Sequence, residues 1–199
     1  ATTHFDLASQ AVRSGKHVLV EKPMAMTIEE ARRLEEYVQK SGRVFMVAHQ
    51  YCYNDHIRFL KNAIDREAFG KIRYLFFEHL YPGPIRSDIG CFGDAAPHAF
   101  SLIDFLFPGI AIRDIQGRMV DISGRGKDDF AAVEILYDNG LLVTIVVSCF
   151  APEKVRRVHI GGETGIALFD DMMKEQKIKL IRQPFPDPRQ LMGGESIFF

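Results

Sequence analysis

The stretch GKHVLVEKPMAMT, residues 15–27, decides the fold. A glycine leads into Val18, Leu19 and Val20, and the run breaks off at Glu21-Lys22-Pro23. So short an apolar run between glycine and proline has the length of a strand and not the spacing of a helix. With no polar residue alternating in it, it reads as a parallel-sheet strand buried on both faces. The same phrase then returns. QAVRSGKHVLVEK (10–22) and EYVQKSGRVFMVAH (36–49) each give a helix end, Ser-Gly, a basic residue and an apolar strand. Gly15 and Gly42 suit the left-handed position just past a helix C-terminus. Thr3 with Asp6, and Thr27 with Glu30, have the spacing of capping boxes. Ile28, Ala31, Leu34 and Val38 mark the apolar stripe of the second helix. Helix, strand, helix, strand predicts a parallel α/β sheet over residues 1–50.

Beyond about residue 50 the pattern changes, and residues 51–199 are read as a second, α+β domain. HIRFLKNAIDREAFGK (56–71) predicts an amphipathic helix ending at Gly70, and IRYLFFEHLY (72–81) a strand. A Pro/Gly-rich loop, PGPIRSDIGCFG, precedes an apolar helix expected from Asp94 to about Phe107. Strand-like runs follow at 112–122, 130–150, 155–170 and 177–183, with Asp138-Asn139-Gly140 as a hairpin turn. Strands after helices predict a mostly antiparallel sheet. GGETG, 161–165, opens no helix and is read as a tight turn rather than a phosphate loop.

Composition narrows the function classes. Hydrophobic residues make up 47% and charged residues 26%, with a formal net charge of −1, so a packed globular protein is expected and nucleic-acid binding is not. The densest basic cluster, Lys154-Val155-Arg156-Arg157, is read as a solvated sheet edge or face rather than an anion site. Cys52, Cys91 and Cys149 are too widely spaced for a metal site or disulfide framework, so free thiols in a reducing cytoplasm are expected. The most apolar run, 141–150, is far shorter than the roughly 20 residues that span a bilayer. Ala1 in place of Met, and the apolar ESIFF at the other end, suggest a piece of a longer protein.

Two clusters carry candidate chemistry. Lys22 follows a parallel strand, where α/β sheets receive ligands, and the Lys22–Pro23 bond is a candidate for the cis form in a turn that aims the lysine. In GDAAPHAF (93–100), Asp94 and His98 are four apart and share a helical face. An acid beside an imidazole is a usable general-base pair, with the acid orienting the ring or a substrate hydroxyl. Pro97 is expected in the first turn of that helix, and Asp94 alone would suit an N-cap.

GKHVLVEKP, with ATTHFDLA before it, FGKIRYLFFE (69–78) and Asp-x-x-x-His after it, resembles the oxidoreductase family of glucose–fructose oxidoreductase, inositol dehydrogenase and the rhizopine-catabolism protein (Gfo/Idh/MocA). The resemblance implies that residues 1–50 are the C-terminal part of a Rossmann-type dinucleotide-binding domain. It implies that 51–199 form a mostly antiparallel open-sheet substrate and oligomerisation domain. The implied activity is NAD- or NADP-dependent hydride transfer at a hydroxyl carbon of a sugar, sugar derivative or cyclitol; the alternative is a non-catalytic dinucleotide-binding regulator or scaffold. Lys22 would stabilise the reacting oxygen, His98 would act as base, and Asp94 would hold the hydroxyl or orient the base. Thr2, Thr3, His4, Glu21 and Pro23, with Lys22, would line the cofactor side. The glycine-rich loop would lie upstream of Ala1, so residues 1–199 alone are expected to bind dinucleotide weakly or not at all. Tyr51-Cys52-Tyr53 and Ser101 depart from the pattern of many relatives, which leaves the triad intact and the substrate open. A homo-oligomer packed through the second domain's sheet is expected.

Overall fold

The computed structural model describes residues 1–182 and the backbone of strand 195–198. Residues 183–194 and 199, which the second expected domain includes, lie outside the described residues. The chain begins with α1 (His4–Arg13), β1 (Val18–Val20), α2 (Ile28–Ser41) and β2 (Phe45–Val47). β1 and β2 pair in parallel with Val18 opposite Phe45 and Val20 opposite Val47. Gly15 and Gly42 have φ of 73° and 61°, the left-handed conformation that ends a helix without the steric cost a Cβ would bring. Thr27 accepts from Glu30 N at 3.1 Å, while the Glu30 carboxylate reaches back to Met26 N at 2.9 Å. The capping box at Thr3 does not form. Its backbone is already helical (φ −97°, ψ −8°), so the hydroxyl makes no cap bond.

Burial of β1 on both faces is also overturned. Ala8 and Leu34, from α1 and α2, pack with Val18, Val20, Phe45 and Val47 on one face. Leu19, 69% exposed, lies on the other face of the strand, which nothing covers among the described residues.

A 3-10 turn (Gln50–Tyr53) leads into α3 (Asp55–Asp65), capped by Asn54 Oδ1 on the N–H groups of His56 and Ile57. α3 ends before the expected Gly70 because Glu67 and Gly70 both take left-handed backbone, φ 56° and 65°. Next come β3 (Ile72–Leu80), α4 (Cys91–Leu106), β4 (Ile112–Val120), β5 (Phe130–Tyr137), β6 (Leu142–Ser148), β7 (Val155–Gly162), β8 (Gly165–Asp170), β9 (Ile178–Arg182) and β10 (Glu195–Phe198). They form an eight-stranded sheet in the order β10-β9-β8-β7-β3-β6-β5-β4. Its pairings are antiparallel except β3 with β6.

α3 and α4 cover one face of this sheet. Ile57, Leu60, Leu102 and Leu106 join Leu75, Phe77, Val143, Ile145, Val158 and Ile160 in a single core. The alternation that buries Ala131, Val133, Ile135 and Tyr137 leaves Glu134 exposed and Ala132 and Leu136 half-buried on the opposite face. GGETG is the tight turn between β7 and β8, as expected. The Asp138–Gly140 hairpin forms too, with Gly140 at φ 84° and Tyr137 N donating to Leu141 O.

α4 starts at Cys91 rather than Asp94. The loop between β4 and β5 supplies its cap: Asp128 accepts from Phe92 N at 2.7 Å, and Cys91 N donates to Asp128 O at 2.9 Å. Asp94 is therefore free of capping duty. Pro97 falls inside the helix, past its first turn, where it withholds a donor from the ladder.

Candidate active site

Lys22 leaves the carboxyl end of β1, and the Lys22–Pro23 peptide is cis. Its ammonium crosses to α4, donating to the Asp94 carboxylate at 3.0 Å and to the Asp94 carbonyl at 2.6 Å. The carbonyl lies three residues before Pro97, in a stretch where the helical ladder is already interrupted. Lys22, Asp94 and His98 line one cavity of about 390 Å³. The sequence places the first two 72 residues apart; the fold brings them into one ion pair.

Asp94 does not orient His98. Its second oxygen receives the Tyr81 hydroxyl at 3.3 Å, and Arg86 stands 3.9 Å from the first. Burial alone would push the Asp94 carboxyl up, but Lys22, with help from Arg86 and Tyr81, holds it below the usual range. The expected acid–imidazole pair is thus replaced by an acid–ammonium pair, because Lys22 offers a full charge where the ring offers one N–H. His98 is instead set by packing. Its ring stacks on His79 with centroids 5.7 Å apart and planes at 10°, and meets the edge of Tyr51 at 5.6 Å. Both histidines are buried with Nδ1 unpaired among the described residues, so Nε2 of His98 is the ring nitrogen left to meet the cavity. Burial, reinforced by Lys22 and Arg156, lowers His98 to about 4; burial, reinforced by Arg156, lowers His79 to about 3. Both rings are neutral at ordinary pH. A neutral imidazole accepts protons.

The other predicted residues divide. His4 Nδ1 and the Pro23 carbonyl lie 2.7 Å apart, tying the start of α1 to the turn after β1. Thr2, Thr3 and Glu21 are exposed and lie outside the cavity lining. Four lining residues with polar side chains were missed: His79, Tyr81, Lys154 and Arg156. The signal for them was parity. His79 and Tyr81 continue the buried face of Leu75 and Phe77, and the register sets Arg156 directly opposite His79. The expected solvated edge at Lys154–Arg157 is therefore half a cavity wall. Of its three cations, Arg157 points the other way, where it pairs with Asp170 at 2.7 Å.

A lysine at the carboxyl end of a parallel strand, paired with a carboxylate and facing a neutral histidine, can be set against the comparisons with known proteins. Residues 1–49 match the model of the Gfo/Idh/MocA oxidoreductase family's NAD-binding Rossmann fold, and residues 57–168 match its C-terminal domain. The chain belongs to the Gfo/Idh/MocA family. Among curated relatives of this Gfo/Idh/MocA chain, UDP-N-acetylglucosamine 3-dehydrogenase from Acidithiobacillus ferrooxidans is 32% identical over 85% of this chain and 52% of that protein. A 1-carboxy-3-chloro-3,4-dihydroxycyclohexa-1,5-diene dehydrogenase from Comamonas testosteroni is 29% identical over 74% of this chain and 40% of its own length. An inositol dehydrogenase homologue from Azotobacter vinelandii, crystallised with NADH and myo-inositol, shares the fold at a TM-score of 0.87. It is 20% identical and covers 99% of this chain and 53% of that one. The chain thus spans about half the length of the curated relatives it matches.

Proposed function

We propose that the protein is an NAD(P)-dependent oxidoreductase transferring a hydride between the nicotinamide and a hydroxyl carbon of a sugar, sugar derivative or cyclitol. The observation that carries this reading is the convergence of the Lys22–Asp94 pair and neutral His98 on one cavity. The similar proteins named above for their activity oxidise ring compounds, which agrees with a cavity of this size. A bound nicotinamide supplies the hydride acceptor or donor. The residues present fit such a group. β1 ends at the cavity mouth, the side on which α/β sheets take nucleotides, and the Pro23 turn is fixed there through His4. Thr2, Thr3, His4, Glu21 and Pro23 are assigned to that cofactor side.

Lys22 donates to the oxygen on the reacting carbon and stabilises the negative charge it gathers in the transition state. Asp94 holds the ammonium in place. His98 Nε2 takes the hydroxyl proton in oxidation and returns it in reduction. Tyr81 fixes the second Asp94 oxygen and so the ammonium's direction. Residues 1–50 form the C-terminal part of the dinucleotide-binding domain, and 51–199 carry substrate binding and self-association. The outer sheet face supports the second role: Tyr74 and Leu142 are each 39% exposed, beside half-buried Phe76, Val146 and Leu168. We place the protein in the cytoplasm, in keeping with three free cysteines and with no helix long and apolar enough to cross a membrane among the described residues.

The test is turnover. Full-length protein is incubated with NAD or NADP and a panel of sugars, sugar derivatives and cyclitols, following the absorbance of the reduced nicotinamide. At least one ring alcohol should be oxidised, and Lys22→Met and His98→Asn should each abolish most of that rate without loss of fold. No turnover across the panel, or full activity in both variants, would refute the assignment.

A further inference from the structure

The register of β3 with β7 puts two cations on the cavity's far wall. Arg156 lies directly opposite His79, and Lys154, two residues earlier, shares its parity and also lines the cavity. Three cationic side chains, Lys22, Lys154 and Arg156, thus face one carboxylate, Asp94, which leaves a formal surplus of two positive charges. The two histidines add none, since both are held neutral.

These cations differ in how they are matched. Lys22 is committed to Asp94. Arg157, on the opposite face, has its own carboxylate in Asp170. The carboxylate nearest Arg156 is Asp171, at 3.9 Å, and Asp171 already takes Lys177 at 2.8 Å. Arg156 Nε is buried with no acceptor, and Lys154 makes no hydrogen bond or ion pair among the described residues. A buried guanidinium N–H without an acceptor is costly. Because Nε is itself buried while the side chain lines the cavity, the terminal guanidinium nitrogens are the ones left to meet what fills it. A guanidinium matches the planar fork of a carboxylate or two oxygens of a phosphate, and a lysine adds an unspecific positive charge beside it.

We propose that Arg156 and Lys154 form an anion subsite, so that the preferred substrate is a ring alcohol bearing a carboxylate or phosphate group. This rests on the dehydrogenase reading, because it is that substrate's hydroxyl that must meet Lys22 and His98. The subsite also bears on the chemistry. Arg156 and Lys22 both oppose a proton on His98; an anion seated against Arg156 offsets that field and makes the ring a better base once substrate is bound.

The experiment compares glucose, glucuronate and glucose 6-phosphate as binding probes by calorimetry on the full-length protein with saturating NAD, together with Arg156→Gln, Arg156→Lys and Lys154→Gln. Glucuronate or glucose 6-phosphate should bind about 10- to 100-fold tighter than glucose, the worth of a charged hydrogen-bonded contact. Which of the two is preferred tells carboxylate from phosphate. Arg156→Gln should remove most of that advantage. Arg156→Lys should retain part of it, and Lys154→Gln should reduce it, at unchanged melting temperature. Anionic probes no tighter than glucose, or a preference that survives both glutamine variants, would overturn the proposal. The two readings fail separately. Turnover of anionic ring alcohols that ignores Arg156→Gln sinks the anion subsite alone; anion binding lost in Arg156→Gln, without cofactor turnover by any anionic ring alcohol, sinks the dehydrogenase alone.

Discussion

The stacked pair of His79 and His98 makes the fold acid-sensitive in a window that can be worked out in advance. The rings are 5% and 4% exposed, and both hold values below the ordinary 6.5, at about 3 and about 4. An imidazole whose value is depressed on folding binds fewer protons in the native than in the unfolded chain. Its contribution is therefore complete above pH 6.5 and is lost as pH falls. Each ring removes about 1.4 kcal/mol per pH unit below that point. At pH 5 the loss is about 2 kcal/mol per ring and about 4 kcal/mol for the pair. Because both native values lie well below 5, this figure depends little on where each falls. His49, lowered by burial, adds loss of the same sign. Asp94 and Asp129 are held below the ordinary carboxylate range, so their contributions are lost only at pH values beneath this window. Urea unfolding at pH 7 and pH 5 measures the loss directly. A double variant, His79→Gln with His98→Gln, starts from lower stability but should lose about 4 kcal/mol less between the two pH values. A wild type whose stability falls by less than about 1 kcal/mol, or a double variant with the full loss, would refute the reasoning.

On the proposed mechanism His98→Asn should lower kcat by ~10²–10⁴ with little change in cofactor affinity, read from steady-state kinetics on the full-length protein. Lys22→Met should cost ~10²–10³ in kcat and, by leaving Asp94 without its ammonium, shift the acid limb of the pH–rate profile upward. Asp128→Ala deletes the cap of α4 and should destabilise by about 1–2 kcal/mol in urea unfolding. In Gly162→Ala the new Cβ would stand 2.2 Å from the Phe69 carbonyl oxygen, so a loss of ~1–3 kcal/mol is expected, well above that of an exposed surface glycine. On the outer sheet face, Val146→Glu should reduce the sedimentation coefficient of the full-length protein if that face joins its copies; an unchanged value would remove the face from consideration.

Much of the fold was legible because local rules and burial agreed there. The repeated helix–Ser-Gly–strand phrase and the Asp138–Gly140 hairpin are set by neighbours close in sequence, and each forms as expected. The misreadings fall where a distant segment intervenes. Asp128 caps α4 from 36 residues downstream, which moves the helix start to Cys91 and releases Asp94 from the duty its position suggested. α3 stops short for a reason periodicity does not show: Glu67, a residue with no special preference for it, adopts left-handed backbone. Among the described residues Leu19 is exposed and α1 and α2 settle on the opposite face of β1, and nothing in a three-residue apolar run says which side its helices take.

The site divides along the same line. Lys22, Asp94 and His98 were readable because each sits at an element end or on a helical repeat, but their partnership was not. A carboxylate four residues from an imidazole on a helix is a natural pair only while no stronger donor approaches. The Lys22 ammonium does, and once Asp94 is engaged the histidine is left to stacking and burial. The cations of β7 went unread for a different reason. Lys-Val-Arg-Arg looks like surface charge when taken as a cluster, yet a strand sorts it by parity: Lys154 and Arg156 turn to the cavity and Arg157 to Asp170. Only the pairing of β7 against His79 says which parity faces the chemistry, and that register is fixed by the core residues Val158 and Ile160 packing beside Phe77 and Leu75. A one-residue slip would turn Arg157 inward and bury a charge already matched elsewhere. The hydrophobic pattern of β7 therefore sets which charges line the cavity.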